Sequence, residues 1–212
     1  MIRETQYRAL PGVGTFVVLF LASLGVTWGL GVATNQQAVW RIVLWALAAI
    51  TLFILWFGFF IVQPNKGKVL QLFGDYTGTA RVPGLWGANP FFTKRPLSTR
   101  VRNFETAKLK VNARTSNPVE IAAVVVWQVV DTAEAMFEVD NYEDYVHVQS
   151  ESALRGLANQ YPYDAHEDGQ MSLSSHTQEI AEKLKGEIQE RLAKAGVAVL
   201  EARISHLAYA PE

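Results

Sequence analysis

The N-terminal part of the chain contains two long apolar stretches joined by a short polar connection. Residues 13–33 and 42–62 are each 21 residues long, and residues 34–37 between them are polar. At 1.5 Å per residue, such a stretch forms a helix about 31 Å long, which matches a hydrocarbon core of about 30 Å. The pattern predicts an anchor of two antiparallel transmembrane helices, within residues 1–63.

Two other interpretations of these stretches stay open. A cleaved signal peptide fits poorly. The apolar region of a signal peptide has about 7–15 residues, whereas the first stretch here has 21 residues and is followed by a second apolar stretch. A re-entrant hairpin that never crosses the bilayer is the stronger alternative, because the connection is so short. In the first stretch, Gly25 and Gly29 form a GxxxG pair that would let helices pack closely. Glycines tolerated there by chance explain the pair equally well.

Beyond Pro64, the chain changes to short runs rich in β-branched residues. Residues 68–73 predict a strand that ends at a Gly-Asp turn. Residues 100–111 and 119–130 predict a hairpin with its turn at 115–118. The second of these runs is almost continuously apolar, which is typical of a central, buried strand.

Helical patterns follow this predicted hairpin. Asp131, Asn141 and Ser175 stand where helix N-caps are expected, and a stripe from Ile180 to Ala195 predicts the buried face of the last helix. Gly196 is placed to end that helix. Residues 197–209 return to a strand pattern, with a slip near His206 that indicates a β-bulge. The order of elements predicts an α+β body over residues 64–212.

Charge is distributed very unevenly along the chain. The formal net charge is −1, but only four of the 39 Lys, Arg, Asp and Glu residues lie within positions 1–62. This low net charge argues against a nucleic-acid-binding domain. The absence of cysteine excludes disulfides, thiolate nucleophiles and cysteine-based metal sites.

Basic residues flank the apolar stretches asymmetrically. Arg3 and Arg8 precede the first stretch and Lys66 and Lys68 follow the second, whereas Arg41 alone marks the connection. The positive-inside rule therefore predicts a protein of two spans, with its N-terminus and its body in the cytoplasm.

The order of several short motifs resembles one known family. Residues 83–91, PGLWGANPF, resemble the PG…NPF turn of the stomatin, prohibitin, flotillin and HflK/C proteins, the SPFH or Band 7 family. No single motif is specific, but the ordered set over residues 65–212 is. Its other members are VRNF (101–104), NPVEI (117–121), VVWQVVDTAEA (125–135), VDNY (139–142), ALR (153–155) and GVAVL (196–200).

The chain departs from the family pattern in three places. Trp127-Gln128 stands where Tyr-Arg is usual, and Thr132 where proline is common. Family members also continue into a long coiled-coil helix, whereas the sequence stops at Glu212. We therefore expect either a fragment or an altered mode of assembly.

The resemblance implies a fold and a function. The expected fold is α+β, with a transmembrane hairpin followed by an SPFH domain of mixed sheet and helices. The expected protein is a non-enzymatic scaffold of the bacterial inner membrane, without cofactor or metal. Copies of it would assemble into a ring or cage around a membrane patch and regulate membrane proteins there, such as the protease FtsH. A membrane-tethered hydrolase, or a catalytic subunit of a protease, is the alternative.

A group of aromatic and basic residues predicts a loop at the membrane surface. Aromatic side chains beside cations suit the headgroup region of a bilayer. The alternative is that the aromatic rings pack into the core of the domain. The predicted interface loop consists of Trp86, Phe91, Phe92, Lys94 and Arg95.

Two charge blocks predict contacts between copies. Residues 81–114 hold eight basic side chains and one acidic, whereas residues 131–151 hold seven acidic side chains and no Lys or Arg. Such blocks could meet head to tail around a ring. They could equally face each other within one molecule, or face water. The predicted contact residues are Arg100, Arg102, Lys108, Lys110, Glu134, Glu138, Asp140, Glu143 and Asp144.

No pattern in the sequence predicts a catalytic or metal site. The four histidines (His147, His166, His176 and His206) lack metal-ligand spacing. Ser175 and His176 are adjacent at a predicted helix start, where a polar cap is the simpler explanation than a catalytic dyad. No Walker, GxGxxG or GxSxG motif is present.

Overall fold

The computed structural model describes residues 2–35, 39–112, 118–164 and 171–209. The chain divides into two compact units. The first unit is Thr5–Ser98, and the second combines Met1–Glu4 with Thr99–Glu212. The boundary near residue 63 between anchor and body stays a prediction.

The first unit begins with a helical hairpin. Helix α1 covers Gly12–Asn35 and helix α2 covers Val39–Trp56. The predicted second span reached residue 62, but the helix ends six residues earlier and Phe59–Val62 forms a strand, β2. The chain turns at Gly58 and then pairs with residues 84–87, and glycine is required at the turn because a Cβ atom there would collide with the carbonyl oxygen of Ala88. The sequence could not predict this change, because a continuous apolar run lacks the alternation of apolar and polar residues that distinguishes a helix from a strand.

The described part of the first unit also contains two three-stranded antiparallel sheets. One has the order β1-β5-β2, where β1 is Leu10–Pro11 and β5 is Gly84–Gly87. The other has the order β4-β3-β6. Its predicted first strand is confirmed as β3, and the expected turn lies at Phe73 and Gly74, both with positive φ. In this sheet β3 is Lys66–Leu72, β4 is Asp75–Ala80 and β6 is Phe92–Ser98.

The second unit is built on a four-stranded sheet. The predicted central strand is confirmed as β9, Pro118–Val129, whose alternating interior positions are fully buried. The predicted strand at 100–111 is two shorter strands, β7 (Arg102–Glu105) and β8 (Leu109–Asn112), which both pair with β9. Thr106 separates them, because its Oγ1 accepts the Ala123 N–H that a ladder bond would use. Residues 115–117 of the predicted turn lie outside the described residues.

The last strand, β10 (Val197–Tyr209), pairs with the other side of β9. Its register slips between Val199 and Glu201 and again between Ile204 and His206. The second slip confirms the predicted bulge. Just before the first slip, the side-chain amide of Gln189 accepts from Val199 N and donates to the Val197 carbonyl.

Within the described residues, three helices follow β9, and two of the three predicted caps are confirmed. Asp131 accepts hydrogen bonds from Ala133 N and Glu134 N at the start of α3, Thr132–Phe137. Asn141 caps α4, Tyr142–Gln160, in the same way. The cap predicted at Ser175 is wrong, because α5 covers Thr177–Leu192 and His176 occupies the N-cap position without a side-chain bond.

The predicted stripe of α5 is buried as expected. Ile180, Leu184, Ile188 and Leu192 are all fully buried, and Ala195 beyond the helix end is too. Helices and sheet thus share one apolar core in this unit. The predicted α+β class is confirmed.

We expect Gly196→Ala to destabilise the protein by about 2 kcal/mol or more, because left-handed backbone strains a residue with a side chain. Gly196 has φ +62° and its added Cβ would collide with the Asp131 carbonyl oxygen. Gly186→Ala is the matched control, since it lies in α5 with no atom near its added Cβ, and it should stabilise by about 0.5–1 kcal/mol. Thermal unfolding followed by circular dichroism checks both, and equal melting temperatures for the two variants would contradict the prediction.

Candidate membrane interface

The two helices of the hairpin carry an almost fully exposed apolar surface. Each contains an 18-residue window of mean hydropathy 2.1, and only 11% of that window in α1 and none in α2 is buried. A core helix of a soluble protein would be mostly covered by other elements. Exposed apolar area of this extent marks a surface that contacts lipid or another protein. Both helices are long and apolar enough to cross a membrane, which is consistent with membrane association.

Contacts between α1 and α2 hold the hairpin together. Trp56 Nε1 donates to Ser23 Oγ at 3.3 Å, and the Phe16 ring meets the Trp56 ring edge-on at 5.1 Å. Gly29 lies so close to the Trp45 ring that a Cβ atom would overlap it. At Gly25, by contrast, an added Cβ would meet no described atom within 4 Å. The two glycines therefore face different surroundings, and helix packing through Gly25 stays a prediction.

A single strand holds both ends of the hairpin. Strand β1 directly precedes α1 and β2 follows α2, and both are hydrogen-bonded to β5, which lies between them. Gly87 is the register partner of Leu10 on one side and of Phe59 on the other. Because backbone pairing brings these ends together, the hairpin leaves and re-enters the unit at the same place. This geometry is consistent with the predicted antiparallel hairpin, and the two full spans stay a prediction.

The residues before α1 are also part of the first unit. Thr79 N donates to the Thr5 carbonyl at 2.8 Å, and Tyr7 N donates to the Thr79 carbonyl at 3.0 Å. This segment therefore adds backbone hydrogen bonds along β4. These bonds join the segment to the sheet β4-β3-β6.

The predicted interface loop is partly strand, and its aromatic residues point in different directions. Trp86 lies in β5 and Phe92 begins β6; both rings are half-buried against Phe60, Val62 and Leu70, the small apolar core of the first unit. Phe91 is 60% exposed. The loop itself begins beside the end of α2, since Ala88 N donates to the Gly58 carbonyl at 3.0 Å. Two of the three aromatic rings, those of Trp86 and Phe92, thus pack partly against this core, and their contact with a membrane stays a prediction.

The interface loop predicted from the sequence did not include one exposed aromatic residue, Phe73. Phe73 is 87% exposed at the turn between β3 and β4, and its ring stacks on Phe91 with 6.4 Å between ring centroids. The signal that could have found it is its position directly before Gly74-Asp75, because a turn residue cannot face a sheet core. We call Phe73 and Phe91 the aromatic tip.

The basic members of the predicted loop lie on β6. Lys94 Nζ donates to the Phe57 carbonyl at 2.6 Å, just beyond the last turn of α2. Partial burial, together with the charge of Lys68, lowers the pKa of Lys94. A cation at a helix C-terminus is favourable, because it meets the negative end of the helix dipole. Arg95, by contrast, is exposed.

An ion pair joins the two charge blocks. Arg102 of β7 forms an ion pair with Glu143 at the start of α4. The hydrogen bond from Arg102 lowers the pKa of the Glu143 carboxyl. Partial burial acts to lower the pKa of Arg102, but its bonds to Glu143 and Tyr142 raise it overall. For this pair, therefore, the charges face each other within one molecule.

Other members of the charge blocks have local partners as well. Lys110 Nζ lies 3.6 Å from Glu120 Oε1, and Asp144 Oδ2 accepts from the Asn141 amide at 2.7 Å. Glu138 Oε1 accepts from Ile2 N at 2.9 Å. Three more of the predicted contact residues, Arg100, Lys108 and Asp140, are exposed, and Glu134 is half-buried in α3.

Glu4 completes the N-terminus of α3. Its carboxylate accepts from Thr132 N at 2.7 Å and from Thr132 Oγ1 at 2.8 Å, while its own N–H donates to Asp131 at 3.0 Å. Thr132 is fully buried. Thr132 stands where proline is common in the family. Unlike proline, it has a backbone N–H, and this N–H donates to Glu4.

The histidines do not gather into a catalytic arrangement among the described residues. The His147 ring stacks on Phe104 at 3.8 Å. Nδ1 of His176 accepts from the backbone of Ser172 at 3.4 Å, rather than from a serine hydroxyl. His166 lies outside the described residues. Over the described part of the chain, no three His, Asp or Glu residues form a group that could hold a metal ion.

A comparison with known protein families shows which family the chain belongs to. The model of the SPFH domain / Band 7 family matches residues 60–212, well over half of the chain. The chain belongs to the SPFH family. No curated protein matches it. Proteins of the SPFH family generally associate with membranes, oligomerise and act as non-catalytic scaffolds.

The SPFH match begins at the base of the hairpin. Its first residue, Phe60, lies in β2, so the match includes the strand that β5 pairs with and excludes both helices. The family-like residues 83–91 form β5 and the turn after it. This segment of the SPFH domain is thus the part that holds the hairpin.

We expect cysteine labelling to place both ends of the hairpin on one side of the membrane and its connection on the other. The chain contains no cysteine, so single substitutions report without background. Gln6→Cys and Gln63→Cys, on the two flanks, should react with a membrane-impermeant maleimide from the same side. Asn35→Cys, at the end of α1, should react only from the opposite side of oriented vesicles.

The same three variants separate the alternatives. Labelling of all three from one side would establish a re-entrant hairpin and contradict two full spans. Labelling of Gln6→Cys and Gln63→Cys from opposite sides would contradict the pairing of β1 and β2 with one strand.

Proposed function

We propose that this SPFH protein is a membrane-anchored, non-enzymatic scaffold that assembles laterally into a ring or cage. The observation that carries the proposal is the sheet β1-β5-β2, which ties an apolar, largely exposed hairpin directly to the SPFH domain. A domain held this way stays at the bilayer surface. Confinement to two dimensions raises the effective concentration of the copies, so that weak lateral contacts between them can form.

The proposed organisation follows the sequence prediction. Residues 1–63 form the anchor, and residues 64–212 form the assembling domain in the cytoplasm of a bacterial cell. A closed assembly would enclose a membrane patch and the proteins within it. Its clients would be membrane proteins or membrane proteases such as FtsH, whose access to substrates the enclosure would control.

The aromatic tip supports a second contact between the domain and the bilayer. Phe73 and Phe91 stack on each other at one end of a sheet, and both are more than half exposed. The loop that carries Phe91 is bonded to Gly58, two residues beyond α2. Exposed rings beside a membrane helix end suit the interfacial region, where aromatic side chains are enriched. Lys94 and Arg95 would lie at the level of the headgroups.

We expect a fluorophore at the aromatic tip to contact lipid. Phe73→Cys labelled with NBD, in the full chain reconstituted into vesicles, should be quenched by lipids that carry a nitroxide near the headgroup. Gln178→Cys is the matched control, because Gln178 is an exposed residue of α5, and its label should show little quenching. Equal quenching at the two sites would contradict insertion of the aromatic tip.

We expect lateral assembly to depend on the exposed parts of the charge blocks. Lys108→Glu with Lys110→Glu, or Asp140→Lys with Asp144→Lys, should each disrupt the assembly, because like charges would then meet between copies. The four substitutions together should restore it. Electron microscopy of the detergent-solubilised full chain distinguishes rings or cages from monomers.

A matched control has the same charge change outside the blocks. Lys183→Glu with Lys194→Glu alters two exposed residues of the second unit and should leave the assembly intact. Failure of the fourfold variant to recover rings would count against head-to-tail pairing of the blocks. A monomeric unmodified protein would contradict the scaffold itself.

A further inference from the structure

The last strand of the second unit has an open edge. Among the described strands, β10 pairs with β9 alone, so its other edge has no neighbouring strand. The backbone N–H and C=O groups of such an edge form a template for pairing with another extended segment. The proposed scaffold makes no use of this edge.

The hydrogen bonds of β9 show which groups of β10 point to the open edge. Ala123 bonds through both its N–H and its C=O to Thr106, which lies between β7 and β8. Adjacent residues of a strand direct their backbone groups to opposite sides, so the next residue, Val124, faces β10. The register partner of Val124 is Arg203. Ala202, next to Arg203, therefore directs its N–H and C=O to the open edge.

Helix α5 runs beside this edge and already occupies one end of it. The side-chain amide of Gln189 accepts from Val199 N at 2.7 Å and donates to the Val197 carbonyl at 3.1 Å. An amide that accepts and donates in this way takes the place of a peptide group of a neighbouring strand. The edge is therefore able to bond an added peptide chain.

A groove of about 440 Å³ lies along the next part of the edge. It is lined on one side by α5, between Thr177 and Lys185, and on the other by Leu200–Ile204 of β10. A strand edge beside such a groove is the arrangement in which extended peptides bind by β-augmentation. Backbone bonds then supply affinity, and the groove selects alternate side chains.

The position of α5 selects a single extended chain as the occupant. Helix α5 packs on β10. A second copy that joined its own β10 to this edge would place its α5 at about the strand spacing of 4.7–4.9 Å from the first. Packed helices need about 8–10 Å between their axes. A peptide without a helix layer needs only the spacing of a strand.

The charges of the edge define the sequence that fits it. Glu201 and Arg203 form an ion pair with each other, and Ala202 lies between them. Antiparallel pairs are the more stable per residue, and opposite charges at directly opposed positions stabilise them further. A matching strand carries an acidic residue opposite Arg203, an apolar residue opposite Ala202 and a basic residue opposite Glu201.

We propose that the groove between α5 and β10 binds an extended segment of a partner protein as an added antiparallel strand. The segment has the order acidic, apolar, basic, and its central residue bonds to the N–H and C=O of Ala202. This site goes beyond the scaffold role, because peptide binding does not require a ring.

Fluorescence anisotropy with a short peptide tests the proposal on the detergent-solubilised full chain. The probe is fluorescein-labelled Thr-Val-Glu-Val-Lys-Val-Thr, whose central valine lies opposite Ala202, and its binding to empty micelles is subtracted. The same probe with an N-methyl group on that valine keeps every side chain but cannot donate to the Ala202 carbonyl. It should bind about tenfold more weakly.

Two tryptophan variants locate the binding site. Ala181 lines the groove, so Ala181→Trp fills it and should weaken binding about tenfold or more. Glu190→Trp is the matched control, because Glu190 is exposed on α5 outside the groove. It should leave binding unchanged within about twofold. Melting temperatures close to that of the unmodified protein establish that both variants are folded.

Reversal of the edge charges tests the preferred sequence. Glu201→Arg with Arg203→Glu keeps an ion pair on β10 but exchanges its ends. The unmodified protein should prefer the probe about fivefold over Thr-Val-Lys-Val-Glu-Val-Thr, and the reversed variant should prefer the second peptide by a similar factor. The same preference in both proteins would overturn the charge matching.

Disulfide formation tests the direction of the peptide and the occupant. The chain contains no cysteine, and Leu200 is 41% exposed. Leu200→Cys should form a disulfide with a probe that carries cysteine at its last valine, rather than at its first. The reverse result would overturn the antiparallel direction. A disulfide between two Leu200→Cys copies in place of the probe disulfide would show a second copy at the edge and overturn the proposal.

The remaining outcomes separate the groove from the scaffold. Equal binding of the N-methyl probe, or equal losses in Ala181→Trp and Glu190→Trp, would overturn binding in the groove. Ring formation is examined by electron microscopy on the same variants. Intact rings with lost peptide binding would show that the two functions are separate, as proposed.

Discussion

The pairing of one short strand with both flanks of the hairpin is the constraint on which the first unit depends. Strand β5 uses both of its edges, one for β1 and the other for β2. Near a bilayer, unpaired backbone groups are costly, because little water is available to satisfy them. Pairing on both sides of β5 therefore fixes where the helices begin and end. The turn after β5 and the end of α2 are both positioned by this arrangement.

Much of the fold could be predicted from the sequence because its signals are local. The buried stripe of α5, the caps at Asp131 and Asn141, and the glycine after α5 each follow from spacing within a few residues. The central strand β9 could be recognised because it is apolar at nearly every position. The end of the second helix could not, since residues 57–62 are as apolar as the helix before them. Long-range pairing with residues 84–87 makes them a strand, and no local pattern reveals that pairing.

The candidate site was harder to predict than the fold. Composition identified the aromatic and basic residues near 86–95, but which rings face the core depends on the strands that carry them. Trp86 and Phe92 are on strands and pack inward, whereas Phe91 lies between strands and points outward. Phe73 has the appearance of a core residue until the turn beside it is taken into account. The charge blocks show the same limit, because the pair between Arg102 and Glu143 joins residues 41 positions apart in the chain.

The contacts of Ile2 and Glu4 bear on the order in which the protein can be made. These residues bond to Asp131, Thr132 and Glu138, at separations of 127 to 136 positions. During synthesis, the hairpin leaves the ribosome long before those partners exist. Ile2 and Glu4 can therefore make these bonds only after residues 131–138 have been translated. Closing a loop of this length costs conformational entropy, which the contacts of α3 and its cap must offset. The segment Ile2–Glu4 thus reaches its final structure only after α3 has been synthesised.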